Sequence, residues 1–290
     1  MTTQKQEAPS KKRIFQYVKF SLQAIFALFT LLIVAACSDD SAAQKDHETT
    51  QLRISTAPGD FHDLVKEYLA PELEKAGYQV ELLVITDTVV PNVAVEEGSL
   101  EMNLFQHRPY MEEFNRNQKG KLIPLVQVPT APYGIYPAKK TTIDALAPGD
   151  TVGIPSNVTN FSRGLWILEG LGWITIKDDA PDRFHLTKKD IAQNPHNLDI
   201  KEIEAAQMLR ALPDLDYAII NGKYALDAGI HFTDALYVEP SRHFVNWIVI
   251  HERNQETPWA KAVIQIINSE GFKAYSAQKF QGYDLPLAWD

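Results

Sequence analysis

From Leu52 to Gln278 short apolar runs alternate with helix-like segments, and no other feature narrows the fold as much. LRIST (52–56), VELLVIT (80–86) and EMNLF (101–105) read as strands, the second of them buried. Between them, 60–77 carries Phe61, Leu64, Val65, Leu69 and Leu73 at helical spacing, and a helix near 91–97 stops at Gly98. MEEFNRNQ continues as helix and leads to strands at 122–129 and 133–140. A new unit then opens, with a strand at 151–155, an apolar-faced helix at 161–174 and strands at 198–204 and 216–222. ALYVE (235–239), a strand at 246–252 and one long helix over 258–278 complete the pattern. Strands alternating with helices predict mostly parallel sheets covered on both faces.

Sheets of this kind bind ligands beyond the carboxyl ends of their strands. Three groups fall there: Phe105-Gln106-His107, the turn from Ser156 to Arg163, and Asn221. Their convergence on one cleft is the expectation, since small ligands sit between lobes. A helix start presents free N–H groups to an anion, and Asn160 and Arg163, three apart, share a face of that first turn. An Arg there can grip a carboxylate with two parallel hydrogen bonds. The plainer alternative is a capped helix with Arg163 in solvent. Asn221 could accept from an ammonium, or it could be the turn residue that Asn-Gly usually marks. Asn246, before Trp247-Ile-Val-Ile250, could line a hinge. Pro109 suits the first turn of a helix and would aim Phe105, His107 and Tyr110 as one wall, with Gln106 and Arg108 facing packing or solvent.

The ends set the compartment. Five basic side chains and one acid in residues 1–19 precede the uncharged Ser21–Ala36, about 16 residues and short for a membrane span of ~20. Cys37, the sole cysteine, follows directly. Residues 1–36 therefore read as a signal peptide, and Val34-Ala35-Ala36-Cys37 resembles a lipobox whose Cys is acylated. With Cys37 so used, no thiol remains for a disulfide, a thiolate metal site or a nucleophile. Residues 37–50 read as a polar lipid-anchored tether. Removing 1–36 leaves 23 basic against 36 acidic side chains, a formal charge of −13, which argues against nucleic acid as a partner, since phosphate binding needs a basic face.

No Gly-x-Ser-x-Gly, Gly-Lys-Ser/Thr or His-Glu-x-x-His occurs, and the eight histidines form no close pair at ligand spacing. An enzyme therefore finds no supporting motif, and the pattern calls for no cofactor and no metal.

FQHRPYMEEFN, Asp87-Thr-Val-Val-Pro-Asn92, Asn194-Pro-His-Asn-Leu198, Asn221-Gly-Lys-Tyr-Ala225 and Val245-Asn-Trp-Ile-Val249 together resemble the NlpA/MetQ family of methionine-binding lipoproteins, over nearly the whole stretch from Leu52 to Gly282. The resemblance implies an α/β, two-lobed periplasmic-binding-protein fold of type II-like form, with 51–134 plus 243–290 as one lobe, 135–242 as the other, and crossings near Tyr136 and Phe244. It implies a lipid-anchored receptor of an ABC importer that delivers an amino acid, L-methionine first, to a permease and its ATPase subunit. The receptor would face the periplasm or cell exterior. Another amino acid, a methionyl peptide, an organic anion or a metal stays an alternative cargo, and a surface interaction protein is a further alternative. By the same resemblance Arg163 binds the ligand carboxylate and Asn160, Asn221 and Asn246 contact its backbone or surroundings. Phe105, His107 and Tyr110 enclose the side chain. Thr88 stands where the family has an aromatic, and Tyr136 at the crossing joins the site.

Overall fold

The computed structural model of the protein describes residues 50–180 and 182–290. The signal peptide, Cys37 and nearly all of the tether lie outside the described residues. The first sheet uses β1 (Gln51–Thr56), β2 (Gln79–Val84), β3 (Met102–His107), β4 (Leu122–Gln127) and β12 (Asn246–His251), in the order β2-β1-β3-β12-β4. The second uses β5 (Tyr133–Pro137), β6 (Thr151–Pro155), β9 (Asp199–Ile203), β10 (Tyr217–Asn221) and β11 (Tyr237–Val238), in the order β11-β5-β10-β6-β9. Between β6 and β9, a small hairpin-like pair joins β7 (Thr175–Ile176) to β8 (Ile191–Gln193).

Each sheet carries its own core. Leu52, Ile54, Met102, Leu104 and Ile250 of the first pack on helix α1 (60–75), where Phe61, Leu64, Val65, Leu69 and Leu73 are all buried as their spacing predicts. A π turn at Val65–Leu69 widens α1 just before Pro71, which has no N–H to donate. Val152, Ile154, Tyr217 and Ile219 of the second sheet pack on helix α4 (Val158–Gly170) through Phe161, Leu165 and Leu168. Helix α2 (Val90–Glu97) ends, as expected, at Gly98, whose φ of 85° needs no Cβ penalty. Helix α3 (Arg108–Gln118) follows β3 without a loop.

Four expectations change. The sheets are mixed rather than mostly parallel: β12 runs antiparallel to β3 and β4, and β5 antiparallel to β10 and β11. These are the strands that bring the chain into and out of the second sheet, so they need no helical crossover. β2 is a half-exposed edge strand, not a buried one, and its alternating burial is the mark of one covered face. The helix expected over 161–174 begins at Val158, capped by Asn157, and stops at Gly170, before Gly172 at φ 73°. The short helices α5 (Met208–Ala211) and α6 (Gly222–Asp227) follow. The long terminal helix breaks into α7 (Pro258–Ile267) and α8 (Glu270–Lys279), because Ser269 accepts from the Phe272 N–H and starts a new helix.

The fold is two-lobed α/β, of the periplasmic-binding-protein kind. The chain passes between the sheets at 128–132, so β5 opens the second sheet at Tyr133, a little before the expected crossing at Tyr136. It returns between Val238 and Asn246. We propose these two passages as the lobe boundaries.

Candidate functional site

One cavity of about 410 Å³ opens where the two sheets meet. From the first sheet it is lined by Thr88, Phe105, His107, Tyr110 and Asn246, and from the second by Asn160, Arg163 and Asn221. Eight of the nine residues expected from sequence are thus brought together. The ninth, Tyr136, is a correction. It is fully buried among Met208, Leu215 and Ala218 and lies outside the lining, because on β5 its side chain takes the opposite face from Tyr133 and Ile135. Tyr133 lines the cavity in its place.

The wall from the first lobe is built by a strand running straight into a helix. His107 ends β3 and caps α3, its Nδ1 accepting the Tyr110 N–H at 3.2 Å. A ring nitrogen that accepts carries no proton, so the proton sits on Nε2, which donates to Asn160 Oδ1 at 3.0 Å across the cleft. Burial, with the Arg163 charge adding to it, pushes the His107 pKa down to about 3, so the ring is neutral. The rings of Phe105 and His107 meet Tyr110 edge-on at 5.9 and 6.2 Å, and Phe244 meets His107 at 5.1 Å. The Tyr110 hydroxyl donates to the Thr88 carbonyl at 3.0 Å, which ties the exposed 86–89 stretch to this wall. Burial raises the Tyr110 hydroxyl's pKa and keeps it a donor. Behind the wall Gln106, Asn92 and Asn103 share their amides, with Asn92 Nδ2 donating to Gln106 Oε1 at 2.9 Å and Asn103 Nδ2 to Asn92 Oδ1 at 2.9 Å. That network fixes α2 to β3. Arg108 is exposed and pairs with Glu112 at 2.7 Å.

The second lobe presents charge. Arg163 and Glu239 are each 4% exposed at the side chain, and the Arg163 Nε–H donates to Glu239 Oε2 at 2.5 Å. Burial pushes the Glu239 carboxyl up, and the guanidinium beside it pulls it back. The guanidinium carbon lies 4.2 Å from the Tyr133 ring centre and 4.5 Å from that of Phe244. The Tyr133 hydroxyl donates to the Asn160 carbonyl at 3.0 Å, and burial holds it protonated. Among the described residues the Arg163 guanidinium makes no other hydrogen bond, so Nη1 and Nη2 remain for the cavity.

The three asparagines differ in what they have free. His107 occupies Asn160 Oδ1, so the Asn160 amide has its Nδ2–H₂ to offer. Asn221 caps nothing with its side chain, and its Oδ1 is buried without a partner among the described residues. An orphaned buried carbonyl oxygen is costly and marks a place for a donor. Asn246 instead donates Nδ2 to the Phe105 carbonyl at 3.3 Å and its backbone N–H to Thr130 Oγ1 at 2.7 Å, so it holds the wall in place. Gly222 lets α6 start here: a Cβ would sit 2.2 Å from the Pro132 carbonyl of the crossing chain.

One further contact bridges the lobes. His185 Nε2 lies 2.5 Å from Glu113 Oε2 on α3, while its Nδ1 lies 2.6 Å from Asp182 of its own lobe. Sequence reading missed Glu239, Tyr133 and Phe244. Phe244 was seen only as a crossing point, and Glu239 only as the end of a strand. What links them is the Arg163 guanidinium, and 76 residues separate Arg163 from Glu239. Among the described residues no group of three or more His, Cys, Asp or Glu side chains is placed to hold a metal ion.

Residues 52–288 match the sequence model of the NlpA lipoprotein family. The chain is 33% identical over 261 residues to Outer membrane lipoprotein 3 of Mannheimia haemolytica, covering 89% of this chain and 94% of the relative. It is 31% identical over 266 residues to the D-methionine-binding lipoprotein MetQ of Yersinia pestis, covering 90% and 96%. Among solved structures, a nutrient binding protein from Burkholderia cenocepacia bound to methionine superposes with a TM-score of 0.76 at 29% identity, covering 81% of this chain and 99% of that one.

Proposed function

The chain belongs to the NlpA lipoprotein family, and from that premise we propose that it is a methionine receptor that serves an ABC importer. Family members of this kind are substrate-binding components rather than enzymes. The observation that carries the reading is one cavity holding two complementary vacant valences. Arg163 has two unpaired Nη groups, and Asn221 has a buried Oδ1 with no donor among the described residues. A zwitterion satisfies both at once, its carboxylate on the Arg163 fork and its ammonium on the Asn221 oxygen. Asn160 Nδ2 gives the carboxylate a further donor. Phe105, His107 and Tyr110 offer ring faces and edges to a thioether, whose polarisable sulfur packs well there.

The relatives named for D-methionine support the choice of amino acid, and both enantiomers belong in the test. Thr88 is small and exposed, and the cavity of about 410 Å³ favours a methionyl peptide as the second ligand to try. Titration calorimetry against the twenty L-amino acids, D-methionine and methionyl dipeptides should give micromolar or tighter binding for methionine. Absence of heat with every one of them would remove the reading. We further propose that Cys37 is acylated and anchors the protein to the outer face of a bacterial cytoplasmic membrane, or to an outer membrane, beside its permease. A Cys37→Ser chain should leave the membrane fraction; its full retention would refute the anchor.

A further inference from the structure

Beyond the ligand contacts stands a charged group that touches no cavity space. Glu239 is buried, lies behind Arg163, and is absent from the lining. Its carboxylate takes the Nε–H of Arg163 and nothing else: Oε1 is buried with no donor among the described residues. An Arg used only as a carboxylate grip needs no such partner, and burying a second charge to supply one is costly.

We propose that Glu239 is a positioning residue that makes the cavity select zwitterions over simple carboxylate anions. It acts through Arg163 in two ways. By occupying Nε it leaves the Nη1/Nη2 end of the fork as the part that faces ligand. The rings of Tyr133 and Phe244, 4.2 and 4.5 Å from the guanidinium carbon, keep that plane from turning. By cancelling the guanidinium charge at close range, it leaves a carboxylate in the cavity with hydrogen bonds but little net Coulomb gain. A ligand then needs its own ammonium, matched to the Asn221 oxygen, to bind tightly. Among the described residues no other cation of the lining compensates: its remaining charged groups are Asp87, Glu204, Asp227 and Lys223, and Lys223 is already paired with Asp227.

The proposal rests on the reading of this cavity as an amino-acid site. Its test is a pair of affinities, for methionine and for des-amino methionine, the same molecule with hydrogen in place of the ammonium. Glu239→Gln keeps an oxygen for the Nε–H and deletes the charge. It should narrow the preference for methionine over the des-amino acid about tenfold or more, chiefly by tightening the anion. Equal changes in both affinities, or none, would overturn the proposal. If Glu239→Gln does not fold, Glu239→Asp keeps the charge while pulling it back from Nε. It should narrow the same ratio in part, because the charge cancels the guanidinium less well from further away, and an unchanged or widened ratio there would equally refute the idea. A wild-type chain that binds neither ligand removes the amino-acid reading itself and this proposal with it. One that binds methionine while Glu239→Gln keeps the wild-type ratio removes only the role of Glu239.

Discussion

The two sides of the cavity are built on opposite principles. The first lobe's wall is aromatic and uncharged, made by Phe105, His107 and Tyr110 where β3 becomes α3. The second lobe's wall presents Arg163 of α4, backed by a buried ion pair with Glu239 after β11. One side supplies shape and the other supplies charge. A ligand touching only one lobe gains only one of these, so affinity requires that the lobes be together, as the His107–Asn160 hydrogen bond holds them here.

That division can be broken from the charged side first. Arg163→Ala should abolish methionine binding and also cost ~3–5 kcal/mol of stability, because Glu239 is then buried without its partner. Calorimetry and urea unfolding measure the two losses, and a variant that keeps wild-type affinity would end the assignment. Asn221→Ala should follow with a loss of ~1.5–3 kcal/mol in methionine affinity, the range for a hydrogen bond to a charged group. The same change should hardly affect des-amino methionine.

The neutral wall carries a pH signature. His107 is depressed from 6.5 to about 3 in the fold, so the unfolded chain binds the proton first as pH falls. Its contribution to stability is complete above about pH 6.5 and is lost progressively as pH drops toward 3, with a slope of at most ~1.4 kcal/mol per pH unit. In a His107→Gln chain, unfolding measured from pH 7 to 4 should show a shallower acid limb; an unchanged slope would show that the ring is not held neutral. The smallest effects compare neighbours. Tyr110→Ala should weaken methionine binding several-fold by removing one face of the wall. Arg108→Ala, exposed and paired only with Glu112, should stay within ~0.5 kcal/mol. The reverse order would contradict the assignment of the wall.

Much of this site was legible because its residues sit at places that local rules identify. Phe105, His107 and Tyr110 flank a strand end with Pro109 at the next helix start, and Asn160 and Arg163 open the helix after a buried strand. Tyr136 misled because a boundary estimated to within a few residues cannot fix which face of a strand a side chain takes. The period is two, so an adjacent position points away. The break at Ser269 was hidden for another reason. The apolar pattern continues across Asn268-Ser269, and only the cap geometry shows the restart.

The sequence by itself determined the alternation of strands and helices, the two-lobed family and the residues at the strand ends, because these follow from periodicity and from motifs read within a few residues. Tertiary structure alone decided which valences stay open. Asn160 turns its amide because His107 reaches across the cleft, and Asn221 keeps an unpaired oxygen because α6 starts without its side chain. Arg163 offers only its Nη fork because Glu239 holds the Nε–H. Hydrogen-bond valence is spent on partners remote in sequence, so what a side chain has left for a ligand is fixed only when the lobes meet.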